Sequence, residues 1–313
     1  MYVFGPVPSR RLGMSIGVNN IPPKICSYSC AYCQIGNSLR MSATREHFYD
    51  AEMLIKEVEL KLTTLEESQA VDYITVVADG EPTLDSSLLD LIKGLKRFGI
   101  PVAIINNASL IDHEAVQEAL SYADWVSLKV DAVQETVWRR IDRPLRTLDL
   151  EAIMKGMQQF AALYQGFLAT ETMLVSGIND CAETVKETAQ FIGMLSPGKS
   201  YISIPTRPPA SSWVHAPDEK TINQAYQLFC DSIDSVELLI GYEGNAFAYT
   251  GNVQEDLLSI TAVHPMREDA VDAYLQRAHS SYAQVQDLVE EGLLRIVWYG
   301  DKRFLHRVFA KRY

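Results

Sequence analysis

Three cysteines, Cys26, Cys30 and Cys33, stand at C-x3-C-x2-C in the stretch Lys24-Ile25-Cys26-Ser27-Tyr28-Ser29-Cys30-Ala31-Tyr32-Cys33-Gln34-Ile35-Gly36. Three thiolates so close in sequence can wrap one metal centre, but they cannot close a four-ligand structural zinc site by themselves. An iron–sulfur cube held by three cysteines keeps one iron without a protein ligand, free to bind another molecule. Plainer readings fit less well. Only Cys181 and Cys230 remain as disulfide partners, and no second Cys/His pair stands at a zinc spacing. Ser27, Ser29 and Gln34 make the stretch a polar loop rather than a place for inert core thiols.

The cysteine loop, with Tyr32 just before its last Cys, resembles that of the radical S-adenosylmethionine (radical SAM) enzymes. The resemblance implies a 4Fe-4S cluster held by Cys26, Cys30 and Cys33 and S-adenosylmethionine on the open iron. Its implied chemistry is reductive cleavage of that cofactor to methionine and a 5′-deoxyadenosyl radical, with the protein supplying binding, orientation and exclusion of water. The opening Phe4-Gly5-Pro6-Val7-Pro8-Ser9-Arg10-Arg11-Leu12-Gly13 and the ending Tyr32-Cys33-Gln34 are similar to the branch of the tRNA wyosine synthases. The likeness covers roughly the first two thirds of the chain. Relatives that build the wyosine ring hold a second cluster through cysteines ahead of the first, and none precedes Cys26.

Downstream, Asp79-Gly80-Glu81-Pro82-Thr83-Leu84 lies between an apolar strand (73–78) and a helix (86–98), and it resembles the family's Gly-Gly-Glu-Pro motif. There the resemblance implies that Gly80, Glu81 and Pro82 receive the methionine amine through backbone carbonyls and a carboxylate. Asp79 departs from the motif, standing where Gly is common. Tyr32 is expected to pack beside the cluster, toward the adenine.

Apolar runs and helical periods alternate along the chain. Strands are expected at 14–18, 73–78, 101–106, 124–130, 167–175 and 201–204. Helices are expected at 50–65, 86–98, 112–121, 148–164, 182–195 and 218–233, with a turn-like break at 139–144. Six strand–helix units imply parallel pairing with right-handed crossovers, hence an α/β fold: a partial, open (βα)6 TIM-like barrel, which the resemblance also implies. Sites in such barrels sit at the strands' C-terminal ends. Asn106, Asn107, Ser127, Lys129 and Glu171 fall there and are candidates to ring the ribose, the carboxylate and the substrate. Lys129 either meets the methionine carboxylate or forms a rim salt bridge with Asp131 or Glu171. Glu171 is read as inward, because burial without a partner is costly. Arg10 and Arg11 hold an anion or are solvated, and Arg207 is a further candidate contact.

Residues 1–240 are assigned to the cluster-bearing domain. A loop-rich boundary at 237–253 holds Gly241, Gly244, Asn245 and Gly251. Residues 254–313 read as helix (254–260), a break at His264-Pro265, two helices (267–279 and 280–292) and a hairpin (293–299 with 303–309) around Gly300-Asp301. That order suggests a small C-terminal winged-helix-like domain. The tail carries Arg295, Lys302, Arg303, Arg307, Lys311 and Arg312. It is read as a dock for a macromolecule or as a lid on the barrel.

With 28 basic and 40 acidic residues in 313, the net charge is −12. This disfavours a broad nucleic-acid surface, which relies on neutralising phosphates. The acidic 280–292 helix argues against sequence-specific DNA binding. No apolar run approaches the ~20 residues that span a bilayer, and no apolar run with a basic start opens the chain. The expectation is a cytoplasmic radical SAM enzyme served by a flavodoxin- or ferredoxin-type electron donor. Its substrate is left open among peptide, protein, tRNA and metabolite. The alternative is an iron–sulfur, winged-helix redox regulator.

Overall fold

A computed structural model describes residues 2–65, 70–241, 247, 249, 251–263 and 265–308. Gly244, Asn245, His264, Phe309, Lys311 and Arg312 lie outside the described residues. The chain opens with β1 (Val3–Ser9) and β2 (Gly13–Val18), then the short pair β3 (Ile25–Cys26) and β4 (Arg40–Met41). Helices and strands then alternate through α1 (Ala51–Thr63), β5 (Tyr73–Val76), α2 (Leu88–Leu95), β6 (Val102–Asn106), α3 (Glu114–Ser121) and β7 (Trp125–Lys129). Two helices follow, α4 (Glu135–Ile141) and α5 (Leu150–Leu163). The alternation resumes with β8 (Phe167–Met173), α6 (Ala182–Leu195), β9 (Lys199–Ser203), α7 (Glu219–Cys230) and β10 (Val236–Leu239).

Local chemistry accounts for these elements. The Asp50 side chain accepts from Glu52 N and starts α1, and Asp149 accepts from Glu151 N and Ala152 N at α5. The inner strands are apolar on both faces, the pattern of parallel strands covered on each side. They form one eight-stranded sheet in the order β1-β2-β5-β6-β7-β8-β9-β10, parallel throughout except for the antiparallel β1–β2 pair.

Three features depart from the expectation. No strand is expected ahead of 14–18, yet Val3–Ser9 forms β1, an edge strand, where proline costs no ladder bond. Part of the stretch read as a loop-rich boundary forms β10, parallel to β9. The break expected at 139–144 contains the end of a short helix, α4, and begins only after Ile141.

The two edge strands approach each other. Arg10 Nη1, just past β1, donates to Leu239 O and to Gly241 O, each at 2.6 Å. Leu12, Ala103, Trp125, Ala169, Tyr201 and Leu239 pack together as one buried cluster. The helices cover the other face with a much larger core.

Beyond β10 come α8 (Val253–Val263), β11 (Met266–Arg267), α9 (Glu268–Arg277), α10 (Ala283–Glu290), β12 (Leu294–Tyr299) and β13 (Lys302–Arg307). The hairpin β12–β13 turns at Gly300, whose φ of 58° favours glycine. β11 adds an unexpected third strand. The core of this region takes in Phe4 and Val7 of β1. Its hairpin reaches the sheet's loops, with Tyr299 Oη donating to Pro205 O at 3.1 Å. No helix among the described residues is long and apolar enough to cross a membrane.

Candidate cofactor site

The cysteine loop leaves β3 at the C-terminal ends of the parallel strands and is held on both sides. Ala31 N donates to Ile141 O at 2.8 Å, and Ser211 N donates to Ala31 O at 3.0 Å. Cys33 N to Cys30 O, at 3.1 Å, makes the tight turn between the last two thiols. The three thiols border a cavity of about 180 Å³ that is also lined by Lys24, Asp79 and Gly80. Among the described residues no three His, Cys, Asp or Glu side chains converge on a single-ion site. The thiols instead stand around a cavity, the arrangement a multinuclear cluster needs, and an all-thiolate donor set suits iron–sulfur ligation. Burial pushes all three thiols up in the metal-free chain, so cluster binding must displace their protons.

The Asp79–Pro82 turn is pressed against this loop. A Cβ on Gly80 would lie 1.8 Å from Ile25 O. Glycine is therefore required by a close backbone approach. Glu81 is buried with both carboxylate oxygens occupied. Oε1 accepts from Thr83 N at 3.0 Å and Thr83 Oγ1 at 2.6 Å, and Oε2 accepts from Asn107 N at 2.7 Å. Its expected role as an acceptor for the methionine amine thus belongs to a side chain already engaged within the protein. Pro82 presents its carbonyl to Asn20 Nδ2 at 3.1 Å.

The strand-end residues divide into two groups. Asn106 and Asn107 build the loop after β6. Asn106 Nδ2 donates to Ser127 O at 3.0 Å, and Asn107 Nδ2 donates to Ser27 Oγ at 2.9 Å and to Cys26 Sγ at 3.5 Å. Ser127 is buried. Tyr32, Lys129 and Glu171 form the second group. Lys129 Nζ lies 3.1 Å from Glu171, 3.8 Å from Asp131 and 4.9 Å from the Tyr32 ring centroid. Glu171 also pairs with Arg11 and accepts from Ser203 Oγ at 3.1 Å. The rim salt bridge considered for Lys129 is therefore present. Tyr32 Oη donates to Asp131 and approaches Asp142 Oδ1 at 3.2 Å. Arg207 Nη1 donates to Gln34 Oε1 at 2.7 Å, beside Cys33.

Asp142 is the participant sequence reasoning missed. It accepts from Cys30 Sγ at 3.3 Å, yet it lies 112 residues away in a segment with no motif, so no local signal pointed to it.

Two buried carboxyls here carry a pH dependence. Burial pushes Asp79 from 3.8 up to about 7 and Glu81 from 4.5 up to about 7. The folded chain keeps protons that the unfolded chain releases near pH 4. Without cofactors, stability should therefore fall as pH rises from about 4 to 7 and level off above that. Denaturant midpoints at pH 5 and pH 8 check this; a higher midpoint at pH 8 would contradict it.

Three thiols around one cavity, at the C-terminal ends of a parallel sheet, define a protein that carries an iron–sulfur cluster for cofactor chemistry. Residues 20–192 match the Radical SAM superfamily, and the chain belongs to it. It is 43% identical over 311 residues to UPF0026 protein MJ1312 of Methanocaldococcus jannaschii, covering 99% of this chain and 97% of that one. In fold it is similar to a radical SAM methyltransferase from Sphaerobacter thermophilus (TM-score 0.52, 14% identity, 75% of this chain and 70% of that chain). It is equally similar to Streptococcus suis SuiB, solved with S-adenosylmethionine bound (TM-score 0.52, 14% identity, 71% of this chain and 49% of that chain). The protein is a radical SAM enzyme using a 4Fe-4S cluster and S-adenosylmethionine, and such enzymes need a reductant.

Proposed function

We propose that Cys26, Cys30 and Cys33 hold the cluster, and that Gly80, Pro82, Asn106, Asn107, Ser127 and Tyr32 shape the space for S-adenosylmethionine. Lys129 and Glu171 face the substrate. The observation that carries this reading is the convergence of all three thiols and the Gly80 turn on one cavity. Bound there, the reduced cluster supplies the electron for cleavage of S-adenosylmethionine. The chain's own part is positional. Glu81 locks the Asn107 amide and the Thr83 turn, and Asn107 in turn steadies Ser27 and Cys26. Arg11, Lys129 and Ser203 hold the Glu171 carboxylate in place.

The sheet is read as a partial barrel over residues 1–240. What supports this is Arg10 joining the two edge strands, together with the buried cluster drawn from strand after strand. Residues 254–313 are read as a winged-helix-like accessory domain, supported by two helices followed by a hairpin. Its proposed role is to dock a macromolecular substrate beside the cluster loop. The opening motif and Tyr32-Cys33-Gln34 support kinship with the wyosine-synthase branch. A flavodoxin- or ferredoxin-type donor in the cytoplasm is the proposed electron source, since an exposed cluster persists in a reducing compartment. A redox regulator is disfavoured by the acidic α10, which carries Asp287 and Glu290.

The test is anaerobic reconstitution with iron and sulfide, reduction with dithionite, and assay for 5′-deoxyadenosine from S-adenosylmethionine. Product that disappears in the Cys26/Cys30/Cys33 triple alanine variant is the expected result. Failure to assemble any cluster would overturn the reading.

A further inference from the structure

Cys26 Sγ receives two N–H groups. Tyr28 N donates to it at 3.4 Å and Asn107 Nδ2 at 3.5 Å. The first donor is backbone of the cysteine loop itself. The second comes from the loop after β6, 81 residues away in the chain. Sulfur is a weak acceptor as a thiol and a stronger one once ionised, as it must be to hold a metal.

The Asn107 amide is fixed from every side. Its Oδ1 accepts from Ser109 N at 2.9 Å, and its Nδ2 also donates to Ser27 Oγ at 2.9 Å. Ser109 N can only donate, so the amide atom facing it is the oxygen and the NH2 group faces Cys26. The backbone is held as well, because Asn107 N donates to Glu81 Oε2 at 2.7 Å. Both hydrogens of the NH2 group are thereby committed, one to Ser27 and one to Cys26. The strand-end position of Asn107 suggests a contact with the ribose, the carboxylate or the substrate. Its donors are spent on the cysteine loop instead.

An N–H aimed at a cluster cysteine acts unequally on the cluster's two oxidation states. Reduction adds one electron, delivered by the external reductant, and part of the added charge resides on the sulfurs. A fixed donor stabilises the more negative state more, which raises the reduction potential. The surroundings sharpen the effect. Ser27, Ser109 and Glu81 are buried, so no water is at hand to replace the donor. Cys30 Sγ meets the Asp142 carboxyl rather than an N–H.

We infer that Asn107 is a positioning residue for electron entry: through its Nδ2–H contact with Cys26 Sγ it raises the reduction potential of the cluster. The inference rests on the assignment of Cys26 as a cluster ligand.

The experiment is a redox titration of the reconstituted full-length protein without S-adenosylmethionine, followed by electron paramagnetic resonance, with iron and sulfide assayed on the same samples. Asn107→Ser keeps a side-chain oxygen for Ser109 N but is too short to reach Cys26. Asn107→Leu loses both contacts. Each variant should be harder to reduce by about tenfold in the reduction equilibrium, a shift of roughly 59 mV to more negative values for a one-electron couple. Ser27→Ala, which leaves Nδ2 facing Cys26, should titrate as the parent. A role in shaping the loop alone would move Asn107→Leu and spare Asn107→Ser, and that result overturns the inference. A shift in Ser27→Ala as large as that in the Asn107 variants overturns it too. The parent provides a check that needs no variant. With its asparagine side chains labelled with the heavy nitrogen isotope, pulsed resonance of the reduced cluster should detect a coupled labelled nucleus. Absence of that coupling overturns the inference even where no variant assembles a cluster. A parent that takes up no iron overturns the ligand assignment and this inference together, and iron analysis tells that failure apart from the others.

Discussion

Replacing Cys30 with alanine should reduce bound iron to background and abolish formation of 5′-deoxyadenosine, while the fold persists. The middle thiol has no substitute nearby. Cys181 and Cys230 are exposed on the helical layer, at the start of α6 and the end of α7. Cys30 Sγ donates to the Asp142 carboxyl at 3.3 Å, a hard oxygen donor poorly matched to an iron–sulfur cube. Two remaining thiolates leave a second iron without a ligand, and such a cluster is lost or oxidised. The cost to folding should be small, because Ala31 and the loop backbone keep their bonds to Ile141 and Ser211. Iron and sulfide analysis, the absorbance of the reconstituted protein and the thermal midpoint together decide the matter. Cys181→Ala, which removes an exposed thiol that donates to Thr184 Oγ1 at 3.2 Å, should behave as the parent. A Cys30→Ala protein with full iron and full cofactor cleavage would remove the cysteine loop from the reading altogether.

Gly80→Ala is expected to have the next largest effect, through the backbone rather than through chemistry. The added methyl would sit 1.8 Å from Ile25 O and 2.9 Å from Ile21 Cδ1. The carbonyl cannot yield easily, because it also accepts from Glu81 N at 3.1 Å and belongs to β3, paired with β4. Relief requires moving β3 by roughly 1 Å, and β3 carries Cys26. Forced overpacking of this kind costs about 3 kcal/mol or more, a fall in thermal midpoint of roughly 5–10 °C. The displaced Cys26 should lower cluster occupancy in step. Calorimetry beside iron analysis measures both losses. A variant with unchanged midpoint and unchanged iron would mean that the turn does not press on the cysteine loop as described.

These two predictions draw on different levels of information. C-x3-C-x2-C, the Gly-Glu-Pro turn after an apolar run, and six alternating apolar and helical segments are local signals. They sufficed to assign the chemistry, the α/β class and the parallel order, because metal ligation by a short loop and burial of a strand between helix layers both leave marks within a few residues. The edge strands left weaker marks. β1 contains Gly5, Pro6 and Pro8, which argue against a strand in isolation, and β10 is four residues long. Each is stabilised by the neighbour it pairs with, and pairing is non-local.

The site divides in the same way. The sequence by itself singled out the three cysteines, the glycine turn and the set of polar residues at the strand ends. Only the tertiary structure decided what those polar groups do. It occupied the Glu81 oxygens with Thr83 and Asn107, tied Lys129 to Glu171, and brought Asp142 to Cys30 across 112 residues. The physical reason is that a carboxylate's role is set by which donors reach its oxygens and by how much water is excluded. Both are properties of the packed chain, which residue type and spacing do not encode.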